Sequence, residues 1–428
     1  MANLSDELTI MRRYYMATWD ELRSGVSRFV SQRSVLRHHQ YPTLRNTWHA
    51  LLLILVSAPF IPIVFLLLIG RRSRVGQGKF MVLAVENEFG LFVDMMEYLR
   101  ARSYRGEEFD LVLVLSKRRH STLETLYCQA IGCRMVWSTR FSKVFQQAIL
   151  LQPSSLVSFE RLKSVRFYDS SPLPFAIPET SAAVFKGTLK SLGLVDRPFV
   201  AMAVYTRRYD EQNNPQYLEK QRALETHGDD LVPGIKYLQS QNIAAILVGA
   251  KDTDKSRVPL SIPRLSDFGD LGGHAEVALA SNCTYLWNDF DVGAWWLAVP
   301  FKRPVLTTNR PRPRLVESFT ENQRLYVPVR YQRPDGSELS LREMLEMKLQ
   351  PHKAAAIGDL LLIRNTPQEI VAANAEMLAR VRGIWRDNSE MLDLQDRCRQ
   401  VFLKYSDGYP MPIASSFLVR HPDLVRQT

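Results

Sequence analysis

Residues 274–309 read HAEVALASNCTYLWNDFDVGAWWLAVPFKRPVLTTN, and their pattern decides the fold. Ala275–Ala280 has helical periodicity, Cys283–Trp287 is a short apolar run of strand formers, Val292–Ala298 is helical again behind Gly293, and Arg303–Thr308 is a second apolar run. Strands that are apolar throughout, rather than alternating, are buried on both faces, and a helix between two of them carries the chain back for parallel pairing. The alternation extends outward from this stretch. Strands are predicted at Phe80–Val85, Phe109–Leu115, Arg134–Trp137, Val165–Tyr168, Phe199–Tyr205 and Ala244–Gly249. Helices are predicted at Phe89–Arg102, Thr122–Ile131, Ser142–Leu151, Ala182–Leu192 and Asp230–Gln239. This predicts an α/β protein whose sheets are covered by helices on both faces.

The turn-rich stretch Ser170–Thr180 (SSPLPFAIPET), a helix and then Leu194–Pro198 divide the alternation into two sets. Two doubly wound, Rossmann-like domains follow, over 75–195 and 196–370, with ligands expected at the carboxyl ends of their strands. Residues 371–428 are expected to form C-terminal helices and a tail whose apolar residues, Ile413–Leu424, pack back on the body.

Ala50–Gly70 (ALLLILVSAPFIPIVFLLLIG) is uncharged and closed by Arg71, Arg72 and Arg74; about 20 such residues let a helix cross a bilayer. It stands too far from Met1, behind too polar a segment, for a signal peptide. Residues 47–74 therefore read as a retained membrane anchor. Basic residues flank it on both sides (Arg28, Arg33, Arg37 and Arg45 before it, Lys79 after), and both flanks favour the cytoplasm. Pro59 and Pro62 interrupt the run, so it is either a re-entrant hairpin or one kinked spanning helix, a buried core helix being the plain alternative. Residues 1–46 place Met11, Tyr14, Tyr15, Trp19, Leu22, Val26, Phe29 and Val30 among arginines. That is an amphipathic segment suited to the headgroup region or to docking on the soluble body.

The composition, 46% hydrophobic and 23% charged, is that of a folded chain. A net charge of +11 suits anionic headgroups or phosphorylated ligands. No basic stripe interleaved with aromatics and no finger spacing is present, so nucleic acid is not an expected partner. Cys128, Cys133, Cys283 and Cys398 are too scattered for a disulfide framework and lack zinc-site spacing; they read as buried thiols in a reducing compartment. The glycine-rich dinucleotide fingerprint is missing after Phe80–Val85, where Glu86-NEFG stands instead, which weighs against an epimerase.

Several residues carry candidate chemistry. Arg207 and Arg208 follow a strand top, where a guanidinium suits bidentate phosphate recognition, or they are solvated loop arginines. Gly249 ends the next strand and admits close backbone approach, or simply makes a turn. Asp289-Phe290-Asp291 has the Asp-x-Asp form that holds a divalent ion on a diphosphate; alternatively Asp291 caps the helix opened by Gly293, an end that is itself a diphosphate site. No metal is assigned and no cofactor expected, a divalent ion being the alternative. His274, behind Gly272 and Gly273, is an acid/base candidate or an ordinary loop histidine. Trp295 and Trp296 read in part as core, and Thr307–Asn309 ends a strand where it could touch a ligand.

Motif order over 196–428 resembles the GT-B-type glycosyltransferases of bacterial surface-polysaccharide and lipopolysaccharide gene clusters. The resemblance runs through FVAMAVYTRRYD from Phe199, DDLVPGIKYLQSQNIAAILVGA from Asp229, the 274–309 stretch, RLYVPVRYQRPDGSELSLREML at 324–345, and SSFLVRHPDLV from Ser415. It implies a two-domain GT-B arrangement, with 75–195 on the acceptor side and 196–370 on the donor side. It also implies transfer from a nucleotide-sugar donor to a lipid-linked or polysaccharide acceptor at the cytoplasmic face of the inner membrane. Donor binding would fall to Arg207, Arg208, Gly249, Glu276 (ribose hydroxyls), Gly293 and Asn309, and catalysis to Asp291, Glu276 or His274. The chain departs from the pattern at Tyr205, where similar proteins have His, and at Asn288-DFDVG, where they have a Ser/Thr-rich turn. The alternative is therefore a non-catalytic, GT-B-like binding or scaffold subunit of a polysaccharide assembly complex.

Overall fold

The computed structural model describes residues 79–84, 89–104, 106–115, 121–137, 156–157, 175, 177, 179–204, 228–248, 262–265, 272–290, 293–311, 324–347, 349, 360–405 and 412–426. The run Ala50–Gly70, the amphipathic segment and the predicted elements Ser142–Leu151 and Val165–Tyr168 lie outside these. Among the described residues no helix is long and apolar enough to cross a membrane. The chain divides into two units, one of Met1–Ala84, Asp110–Ser116 and Val136–Leu156, the other of Val85–Phe109, Lys117–Met135 and Val157–Thr428.

The first unit is built on β1 (Lys79–Ala84), β2 (Phe109–Leu115), β3 (Arg134–Trp137) and β4 (Leu156–Val157), which hydrogen-bond in the order β3-β2-β1-β4.

The second unit begins with helices α1 (Phe89–Tyr104), α2 (Ser121–Ile131) and α3 (Glu179–Ser191). There follow β5 (Phe199–Ala203), α4 (Gly228–Ser240), β6 (Ala244–Leu247), α5 (Gly272–Asn282), β7 (Leu286–Asp289), a 3₁₀ helix (Gly293–Phe301), β8 (Val305–Arg310) and β9 (Arg324–Pro328). Five strands pair in the order β6-β5-β7-β8-β9, every pair parallel. Four of these strands overlap expected ones, β9 having no expected counterpart, and all five are buried along nearly their whole length, as parallel strands covered on both faces must be. Because β6 lies on one side of β5 and β7 on the other, the strand order reverses between β5 and β7. The carboxyl ends of those two strands are the topological switch point. A small antiparallel pair, β10 (Arg330–Gln332) with β11 (Leu361–Ile363), and helices α6 (Leu341–Glu346), α7 (Pro367–Val381), α8 (Ser389–Tyr405) and α9 (Ser415–Arg420) complete the unit.

Helices α4 and α7 cover one face of the five-stranded sheet, and α5 with the 3₁₀ helix the other. On the first face Leu231, Ile235 and Leu238 meet Ile370, Ala373 and Met377 over Val200, Met202, Trp287 and Leu306, all at most 1% exposed. The helices approach closely because α4 carries a glycine there. A Cβ on Gly234 would stand 2.8 Å from Cη2 of Trp287 and 3.0 Å from Cγ2 of Ile370. The Trp287 ring cannot yield easily, since its Nε1–H donates to Thr308 Oγ1 at 3.0 Å. Gly234→Ala is accordingly expected to destabilise the chain by about 1–3 kcal/mol, the usual cost of overpacking, read as a lowered thermal midpoint.

The C-terminal tail does pack back: Ile413, Ala414, Phe417, Leu418 and Val425 are at most 2% exposed, and Ile413 extends the sheet by a parallel bridge to Tyr326. Of the cysteines, Cys133, Cys283 and Cys398 are buried, but Cys128 is only half-buried. The thiols follow their surroundings; a hydrogen bond with Cys128, added to burial, pushes Cys133 far above the ordinary thiol range, and burial alone pushes up Cys398.

Candidate functional site

The carboxyl edge of the five-stranded sheet is bound into a polar network by the ends of β7 and β8. Asp289, 1% exposed, is the centre of it. Its Oδ1 accepts from the Thr308 hydroxyl at 2.9 Å and from Asn309 Nδ2 at 2.8 Å. Its Oδ2 faces Arg364 Nη2 at 3.6 Å, and the same guanidinium reaches Asp230, in the first turn of α4, with Nε at 3.7 Å. Burial of a carboxylate is tolerated only where such donors and a cation replace water.

Two residues at this edge hold backbone conformations that side chains disfavour: Phe290 has φ 67° and Asn309 φ 52°. Left-handed backbone is tolerated by Asn better than by most side chains but is an outlier for a bulky aromatic, and there it persists where the surroundings over-determine it. At Phe290 they do, since its N–H donates to Thr308 O at 2.8 Å and its carbonyl accepts from Asn288 Nδ2 at 2.6 Å. Asn309 is held by reciprocal bonds with Asn365, N–H to Oδ1 at 2.5 Å and Oδ1 from N–H at 2.7 Å, while Asn365 Nδ2 donates to Pro328 O. Asn365 and Arg364 are fixed in turn by the start of α7, where Thr366 and Glu369 form a reciprocal capping box ahead of Pro367.

Of the residues expected from sequence to form a site, Arg207, Arg208, Gly249 and Asp291 lie outside the described residues. Gly293 opens its helix as expected, though the helix is 3₁₀ rather than α. Asn309 stands at the strand end, with its side chain spent on Asp289 and Asn365. Glu276 is half-buried on α5 and His274 exposed, its ring 6.5 Å from that of Phe185 on α3. Two positions apart on a helix means about 200° of rotation, so His274 and Glu276 point to different sides of α5 and do not line one cleft together. Both oxygens of Asp289 are engaged within the protein, and the second carboxylate of the Asp-x-Asp form, Asp291, lies outside the described residues. Among the described residues no group of three or more His, Cys, Asp or Glu is placed to hold a metal ion.

Arg364 and Asn365 were not visible to sequence reasoning. They sit in a short link between β11 and α7, and the only local signal is the Thr-Pro-x-Glu helix start just behind them.

No protein-family model and no curated protein matches the sequence. Among solved structures, the chain is similar to a family 9 glycosyl transferase from Veillonella parvula, with 11% identity, TM-score 0.43, and coverage of 71% of this chain and 98% of that one. It is similar to the ADP-heptose lipopolysaccharide heptosyltransferase II of E. coli, with 13% identity, TM-score 0.41, and coverage of 71% and 99%. A third likeness is to the glycosyltransferase SnogD from Streptomyces nogalater, with 13% identity, TM-score 0.22, and coverage of 79% and 82%.

Proposed function

We propose that the chain is a membrane-associated glycosyltransferase that moves a sugar from a nucleotide-sugar donor to a lipid-linked or surface-polysaccharide acceptor at the cytoplasmic face of the inner membrane. The observation that carries this reading is the meeting, at one edge of a parallel sheet, of segments that also carry the sequence resemblance. Asp230 from α4, Asp289 from β7 and Asn309 from β8 are tied together through Arg364 and a hydrogen-bond network. Carboxyl ends of parallel strands, and the helix starts that follow them, are where nucleotides bind in this architecture.

Glycosyl transfer asks little covalent chemistry of the protein. It needs donor and acceptor held in line, positive charge at the leaving diphosphate, and a base for the acceptor hydroxyl. In this reading Arg207 and Arg208 follow β5 at the switch point and grip the diphosphate. Backbone donors at Gly293 share it, Gly249 lets the chain approach, and Glu276 takes the ribose. Asn309 and Asp289 shape the edge. Asp291 is the first choice of base, with Glu276 and His274 behind it, and the anchor Ala50–Gly70 holds the chain near its acceptor.

A second reading, a donor-binding scaffold without turnover, is favoured by Tyr205, since a phenol is a poor base near neutral pH. Binding comes first in either case. A nucleotide or nucleotide sugar that binds the folded chain raises its thermal midpoint, and Arg207→Ala should weaken nucleoside diphosphate binding by about 1.5–3 kcal/mol with little change in stability. Unchanged affinity in a folded variant would remove Arg207 from the site.

A further inference from the structure

The row of residues one step below the network is Ala203 on β5, Asn288 on β7 and Thr307 on β8, paired in register. Side chains alternate along a strand. Trp287 faces α4, so Asn288 and its register partner Thr307 face the other way, toward the side covered by α5 and the 3₁₀ helix. Both residues are 0% exposed, yet among the described residues Asn288 Oδ1 and Thr307 Oγ1 have no hydrogen-bond partner. Buried polar atoms without partners are rare and costly, and two side by side on β7 and β8, β8 being one strand from the switch point, call for a reason. Their neighbour on β5 is Ala203, which brings no polar group to the row.

The chemistry of the two atoms selects what they can bind. Asn288 Nδ2 is committed to Phe290 O, so the amide offers only an acceptor, while the Thr307 hydroxyl can donate or accept. A phosphate oxygen finds no donor at Asn288; a group that carries its own O–H or N–H satisfies both.

We propose that Asn288 and Thr307 form a neutral, hydroxyl-recognising subsite that takes the sugar of the nucleotide-sugar donor, next to the place where the diphosphate binds. This rests on the donor-binding reading above. Both atoms are covered, so binding has to part the side chains over them, and the bonds they gain offset that cost.

The test is calorimetric titration of the full chain with UDP, GDP, ADP and dTDP and with the matching nucleotide hexoses. Thr307→Val removes the hydroxyl at nearly constant volume, and Thr307→Ser keeps it. The valine variant is expected to be as stable as the parent or more so. It should bind the free nucleotide unchanged and the nucleotide hexose on the order of fivefold to tenfold more weakly; the serine variant should restore the difference. A merely structural hydroxyl would give the reverse, a less stable valine variant with unaltered sugar discrimination, and that overturns the subsite. Equal affinity of valine variant and parent for the hexose conjugate overturns it too, while leaving the donor reading intact. Failure of the parent to bind any of the eight compounds overturns the donor reading, and the subsite with it.

Discussion

Glu97→Ala is expected to destabilise the chain by about 3–5 kcal/mol, the usual result of removing one partner of a buried ion pair. Glu97 and Arg100 on α1 form such a pair, with side chains only 5% and 6% exposed. Glu97 accepts from Arg100 Nη2 at 2.7 Å, from Nε at 3.1 Å and from the Tyr127 hydroxyl of α2 at 2.9 Å. The Arg100 guanidinium lies 4.4 Å from the centre of the Phe175 ring, and Phe175 packs edge-on against Tyr127 and Phe301. Lys302, at the end of the 3₁₀ helix, feels the same cluster: burial lowers its pKa, Glu97 opposes that and Arg100 adds to it. Without Glu97 the buried Arg100 and the half-buried Lys302 remain as like charges beside the aromatic rings. Denaturant titration measures the loss, with Tyr127→Phe as a control that should cost only about 0.5–1.5 kcal/mol. A Glu97→Ala variant within about 1 kcal/mol of the parent would mean the pair is not desolvated.

The second large effect is expected at Glu376 on α7. Its carboxylate, 0% exposed, accepts from Arg380 at 2.8 Å and from the backbone N–H groups of Ser415 and Ser416 at 3.0 and 2.8 Å. It thereby holds the start of α9 and the buried tail against the body. Glu376→Ala leaves two backbone donors unmet and should cost about 3–5 kcal/mol, with amide exchange in 412–426 rising before the five-stranded sheet is affected. Uniform loss of protection across the second unit would contradict the idea that Glu376 acts as a local clasp.

Much of the strand and helix order could be read from the sequence because parallel strands announce themselves as short, wholly apolar runs. β2 and β3 fall on their predicted residues, and β5 and β6 begin on them. Boundaries shifted where hydrogen bonding, not polarity, decides. Cys283 reads as strand, yet its N–H still closes α5 on Leu279 O, so β7 starts only at Leu286. Lys302 and Arg303 likewise close the 3₁₀ helix on Val299 and Ala298, with Lys302 at φ 53°, and β8 begins at Val305. The pair β10 and β11 escaped notice because three-residue strands carry no usable period.

The candidate site was legible in part. Asp289, Asn309 and Gly293 stand out because strand ends and glycine-opened helices are places where ligands bind. Arg364 and Asn365 did not, because nothing local marks them and only the fold brings α7 to the edge of the sheet. The switch point itself is a property of strand order, which no single stretch of sequence contains.

Transfer of a labelled sugar tests the account most directly. The purified full chain is incubated with each labelled nucleotide sugar that raises its thermal midpoint, together with membranes that carry the native acceptor. We predict label moving into the lipid or polysaccharide fraction, and a rate lower by about 10²–10⁴-fold for Asp291→Asn, the span general-base catalysis usually supplies, with donor binding retained. A parent chain that binds a donor but transfers no label to any membrane fraction, while its deletion still halts polysaccharide assembly, would contradict the enzyme and leave a scaffold.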